Sequence, residues 1–191
     1  MTYSPSTTPA ARTTWHMDPS HTDAGFAVRH LMISTVRGRF SDVRGHVTVT
    51  GDDFRTAEVT VTIGTASIDT REPKRDEHLR SADFFDVENF PTLTFVSRRV
   101  EPTGNGYNVT GDLTIRGVTR SVSLDVVDEG RIRDPWGGHR AGFTARCIIQ
   151  RRDFGLTWNA ALETGGVVVG DEVKLVIDVE LVQQASGSVA A

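Results

Sequence analysis

The densest set of titratable side chains in the sequence is Asp76-Glu77-His78, with Arg80 and Asp83 close behind. Carboxylates beside an imidazole are the ingredients of general acid–base catalysis. The same residues also compose a charged loop whose arginines and aspartates pair with one another, and spacing alone serves both readings. Leu79, Phe84 and Phe85 interleave with these charges. That pattern suits a lid with an aromatic side facing inward and a charged side in water. The six histidines are His16, His21, His30, His46, His78 and His139. None lies four residues from another and no HExxH string occurs, so neither a metal site nor a cofactor is expected. The single cysteine, Cys147, excludes an intrachain disulfide and a multi-thiolate centre. Asp153-Phe154-Gly155 comes without a glycine-rich phosphate loop or an HRD string, so it reads as a turn with Phe154 packed inward. Asn108-Val109-Thr110 matches a glycosylation sequon by chance, inside an alternating run. No catalytic residue is assigned.

The elements that must position these residues are strands. Val, Ile and Thr total 54, against 23 for Leu plus Ala. β-Branched side chains fit a pleated surface better than a helix. Apolar residues alternate with polar ones through Tyr107–Arg116, Val118–Val126, Phe143–Gln150 and Val173–Leu181. Shorter runs behave alike: Phe26 with Val28, Val36 with Phe40, Val47 with Val49, Val59 to Ile63, and Leu93 with Phe95. Strict alternation means one buried and one wet face, as in antiparallel sheets. Turn signals at Gly51, Gly104-Asn105-Gly106, Gly117 and Gly137-Gly138 separate the runs. About eight strands in short succession predict a single mostly-β domain, an up-and-down antiparallel barrel whose closure removes its edges. A two-sheet sandwich would alternate in the same way. Two excursions interrupt the series, near 65–91 and near 158–170. Both are expected to be short and helical, the first with Pro73 in its opening turn.

The composition is that of a soluble globular chain, with 38% hydrophobic and 24% charged residues and a net charge of −4. Nucleic acid is therefore not an expected partner. No window of about 18 apolar residues exists, so no integral membrane segment is expected. The barrel domain is expected over 14–182, between tails at 1–13 and 183–191. Met1–Thr14 lacks a hydrophobic core of the secretory type, and with one cysteine a cytoplasmic location is expected.

Several strings resemble the YceI-like, polyisoprenoid-binding family. They are Phe26-Ala27-Val28-Arg29-His30-Leu31-Met32 with Val36-Arg37-Gly38-Arg39-Phe40, and Ser67-Ile68-Asp69-Thr70. The most specific is Arg75-Asp76-Glu77-His78-Leu79-Arg80-Ser81-Ala82-Asp83-Phe84-Phe85-Asp86-Val87, continuing into Phe90-Pro91-Thr92-Leu93-Thr94-Phe95. Gly111–Thr119 and Phe143 with Arg152–Leu156 complete the match. The resemblance implies a lipocalin-like extended barrel enclosing a long apolar pocket, and a homodimer at the level of the family. It implies an isoprenoid, quinone-like or fatty amphiphile as partner, bound for storage or transport. The alternatives are a lipid-modifying enzyme of isomerase or cyclase type in the same pocket, and a stress-related protein with a filled core.

Parity then nominates the pocket wall: Phe26, Val28, Phe40, Val61, Ile63, Phe95, Leu113, Ile115, Leu124, Phe143 and Ala145. The excursions add Leu79, Phe84 and Phe85, together with Phe154 and Trp158. His30 continues the inward parity of Phe26 and Val28. It is either a hydrogen-bonded structural group at the barrel end or a polar anchor for a ligand headgroup. Gly38, Gly45 and Gly111 share inward parity with large residues, which leaves room inside on this reading.

Overall fold

The computed structural model describes residues 11–161 and 167–184. The described residues form eleven strands: β1 Arg12–Met17, β2 Asp23–His30, β3 Ser34–Phe40, β4 Val43–Thr50, β5 Asp53–Gly64, β6 Ile68–Asp69, β7 Thr92–Pro102, β8 Gly106–Ile115, β9 Val118–Arg133, β10 His139–Gln150 and β11 Val169–Gln183. All pairings are antiparallel. The order β1-β4-β5-β7-β8-β9-β10-β11 closes through Trp15 opposite Gln183 and Met17 opposite Leu181, giving a barrel of eight strands rather than a sandwich. β11 pairs with β1 at its end and with β2 from Val169 to Asp178. β1 and β2 therefore form one kinked wall position, and β3 and β4, interrupted at Ser41-Asp42, form the next.

The kink between β1 and β2 follows from its residues. Pro19 has no N–H for the ladder. Asp18 still donates its N–H to Glu180 O (2.9 Å), while its carboxylate accepts from Ser20 N and faces His21 Nδ1 at 3.0 Å. Arg140 gathers Asp18 (3.0 Å), Asp134 (2.9 Å) and Glu180 around one guanidinium, tying the kink to β10 and β11. Hydrogen bonding to His21 above all, with Ser20 and Arg140 adding to it, holds the Asp18 carboxyl down to about 2. The folded value lies below the unfolded value of about 3.9. This contribution to stability is therefore complete above that unfolded value and is lost as pH falls through about 2. Asp18→Asn is expected to flatten the acid limb of stability across this window. Urea midpoints measured against pH check it; an unchanged acid limb would show that Asp18 gives nothing there.

The first excursion matches its expected helix, α1, at Pro73–Arg80. Glu72 caps it by accepting from Arg75 N at 2.9 Å, and Pro73 occupies the first turn. β6 precedes α1 and pairs with β3 through Phe40 opposite Ile68, so the segment is stitched onto one end of the barrel. The second excursion differs from its expectation. Its described residues contain no helix. Asn159 donates to Val169 O (2.7 Å) and accepts from Val169 N (3.1 Å), and Ala161 bridges Val167, so the described ends of the segment lie side by side. The 3₁₀ turn lies earlier, at Arg151–Phe154.

The strands also extend past the expected domain limits. Arg12 and Thr13 pair with Thr50 and Val49, and Gln183 pairs with Trp15. The rest of the two expected tails, and 162–166 of the second excursion, lie outside the described residues. No described helix is long and apolar enough to cross a membrane.

Candidate functional site

The inward side chains form two packed clusters. One centres on Trp15, Phe54, Phe143 and Leu181, the other on Phe40, Ile68, Phe84, Phe154 and Leu156. Between them runs a cavity of about 260 Å³. Its wall reaches from Phe54 and Tyr107 at one end to Val28, Val169, Leu79 and Phe84 at the other. Along β11 alone it touches Val169, Val173, Leu175, Ile177, Val179 and Leu181. Twelve residue steps at about 3.3 Å, tilted by about 40°, span on the order of 30 Å along the axis. With C–C bonds of about 1.5 Å, that length matches an extended run of on the order of twenty carbons.

The wall presents only apolar atoms to this space. Polar groups turn away from it. Arg151, 3% exposed, lies along the wall, but its guanidinium donates to Leu156 O, Trp158 O (2.9 Å) and Gly170 O (2.9 Å), and pairs with Asp171 at 3.0 Å. Burial lowers its pKa, against the opposing pull of Asp171. Such a wall can dissolve a hydrocarbon chain.

Most of the residues that parity nominated border the cavity. Phe26, Val28, Phe40, Val61, Ile63, Phe95, Leu113, Ile115, Leu124, Phe143 and Ala145 all line the cavity, as do Leu79, Phe84 and Phe85 from the α1 segment. Three nominees do not. His30 is the last residue of β2, where the chain turns back at Leu31 and Met32 with φ of 51° and 58°; it lies half-exposed at the rim and off the wall. The structure therefore places His30 beside the mouth of the cavity, opposite Val169 in register, and not on its inner wall. Phe154 is buried at 1% exposure in the second cluster, behind the wall. Trp158 packs outside Phe84, with ring centres 5.3 Å apart, and against His78 at 4.7 Å.

The inward glycines leave no free space either. A Cβ on Gly38 would meet Phe26 at 2.4 Å, on Gly45 Met17 Sδ at 2.7 Å, and on Gly111 Phe95 at 2.5 Å. Each niche is already filled by a neighbour's side chain, so these glycines set how the large residues lie and the bore runs beside them.

The titratable cluster also resolves. Asp76 is buried and accepts from Thr70 N at 2.9 Å. Arg75 donates to Thr70 O at 2.9 Å, and Arg80 to Ala66 O (2.9 Å) and Ile68 O (2.7 Å). His78 meets Asp83 at 2.9 Å. These groups fasten α1 to β6, mostly through backbone atoms, and none of the charged ones lines the cavity. Cys147 packs half-buried against the second cluster, where burial pushes its thiol pKa up.

Val43, Val47 and Phe54 also line the cavity without having been nominated; Phe54 is out of phase with Val59 to Ile63 because the β4–β5 register shifts between Thr48 and Thr50. Met17 and Tyr107 were likewise not nominated. Arg151 follows the point at which alternation ends, so periodicity carried no signal for it.

Comparison with known proteins agrees with this architecture. The family model described as YceI-like domain matches residues 15–181. The chain is 41% identical over 164 residues to Protein YceI of Salmonella newport (strain SL254), covering 86% of this chain and 83% of that protein. The crystal structure of a Campylobacter jejuni YCEI protein superposes with a TM-score of 0.71 at 30% identity, over 82% of this chain and 90% of that one. A polyisoprenoid binding domain from Saccharophagus degradans shares the fold at 15% identity, with a TM-score of 0.62 over 90% of this chain and 98% of that one. The match across nearly the whole barrel leaves one conclusion: this chain belongs to the YceI-like domain family.

Proposed function

We propose that the barrel binds the apolar chain of an isoprenoid-like or similar amphiphilic lipid and stores or carries it without altering it. The observation that supports this reading is the cavity wall, apolar from one end of the barrel to the other. The structural neighbour described as a polyisoprenoid binding domain favours an isoprenoid among such chains. Burial contributes about 0.8 kcal/mol per CH₂, so twenty carbons gain on the order of 16 kcal/mol gross. Frozen rotors and lost overall motion take back a large part of that. The polar head has no partner in the wall and therefore sits at the rim.

Native purification, organic extraction and mass spectrometry test this reading. A defined long-chain lipid in near-equal amount to protein is the expected result. A protein that carries no lipid, and takes up neither a polyprenol nor a fatty alcohol when offered, overturns it. Recovery of an offered lipid in altered form would favour the enzyme reading instead.

A further inference from the structure

The β2–β3 hairpin ends in two apolar side chains held out in water: Met32 is 55% exposed and Ile33 81%. The tip is fixed rather than loose. Leu31 N donates to Val168 O (2.8 Å), Ile33 N to His30 O (3.2 Å), and the Arg29 guanidinium to Met32 O. It stands beside the cavity rim, where Val28 and Val169 line the bore.

The outer face is basic in the rows nearest this tip and turns acidic beyond them, where Asp23 lies opposite Asp178. Register places Arg37 beside Ala27, Lys174 and Ile148 in one cross-strand row, and Arg39 beside Gly25, Val176 and Arg146 in the next. Ile148 and Val176 are exposed at 58% and 42%. Acidic neighbours exist: Glu172 meets Lys174 at 3.9 Å, Asp69 meets Arg39 at 3.8 Å, and Asp125 lies opposite Arg146 in register. Among the described residues, Arg29, Arg37 and Arg146 form no ion pair. This is a local cationic face on a chain of net charge −4.

We infer that this tip and face dock the barrel rim onto a lipid bilayer bearing anionic headgroups. Apolar side chains entering the interface beside cations among the headgroups are the ordinary device of peripheral attachment. Two projecting side chains are far short of the roughly 800 Å² per partner that a stable protein interface buries. A fluid bilayer takes such a prong without a matching pocket. The exposed Trp136, on the β9–β10 turn, lies at the opposite end beside Asp134, within the acidic set around Arg140. Charge therefore selects the β2–β3 end. Docking there opens the cavity toward the acyl layer, and this purpose, though not the docking itself, rests on the barrel's proposed lipid cargo.

Flotation of the full chain with phosphatidylcholine vesicles, with and without phosphatidylglycerol, tests it. Binding is expected only with phosphatidylglycerol and should weaken with salt. Ile33→Asp and Met32→Asp should each lower the bound fraction by about tenfold, as should the pair Arg37→Gln with Arg146→Gln. Asp tolerates a left-handed backbone, so Met32→Asp keeps the turn. Trp136→Ser should bind as the parent does. No flotation with phosphatidylglycerol overturns the inference. So does parent-like binding by Ile33→Asp, or self-association in sedimentation that depends on Ile33 while flotation does not. Lipid content is measured separately by extraction. A chain that floats through its tip yet carries no lipid keeps the docking surface and loses the cargo; one that carries lipid but never floats does the reverse.

Discussion

Arg151→Met is expected to cost on the order of 3 kcal/mol of stability, chiefly by leaving buried backbone carbonyls without their donor, since Asp171 is half-exposed and keeps Arg152 as a partner. The guanidinium ties the 3₁₀ turn at 151–154 to Leu156, Trp158 and the start of β11 through four backbone carbonyls, those of Leu156, Trp158, Val169 and Gly170, and through Asp171. Methionine fills much of the same volume along the wall but donates nothing, and each buried carbonyl left without a donor costs about 1–3 kcal/mol. Leu156 is buried, so its carbonyl is the one water is least able to rescue. Burial lowers the Arg151 pKa, yet an arginine keeps its charge at neutral pH. Arg151→Lys should recover only part of the loss, because an ammonium lacks the planar fork that reaches several acceptors at once. Urea midpoints of the two variants decide it. A loss below about 1 kcal/mol for Arg151→Met would mean that these carbonyls find other donors.

Ala145→Phe is expected to empty the barrel while leaving it folded. Ala145 sits on β10 opposite Val126 of β9 and Ile177 of β11, and all three line the cavity. A phenyl ring there takes the place of about three methylenes of a bound chain. At about 0.8 kcal/mol each, that is a loss of roughly 2.4 kcal/mol, on the order of fiftyfold in affinity. Strain adds up to about 1–3 kcal/mol where neighbours have no room to move. The neighbouring outward variant Arg146→Phe should keep its lipid. Mass spectrometry of extracted lipid, with circular dichroism for the fold, separates these outcomes. Full loading of Ala145→Phe would move the chain-binding space elsewhere.

Local sequence carried a great deal of this architecture. In a strand successive side chains point to opposite faces, so the alternation of Tyr107 to Ile115 or Val173 to Leu181 states which residues face inward without reference to the rest of the chain. Pro73 after an acidic cap likewise starts α1 by local chemistry alone. Parity stops being informative where the strand stops. His30 shares the parity of Phe26 and Val28, yet the chain reverses one residue later, and its ring ends at the rim. Phe154 and Trp158 lie in turns, where period two has no meaning, and they pack behind the wall. The carbonyls that hold Arg151, and the side chains that fill the niches over Gly38 and Gly111, come from other elements. Barrel closure itself joins His16 to Gln184 across 168 residues of sequence. Which inward residues border open space depends on that closing register, because a bore is the volume left when distant strands meet, and no single strand contains it.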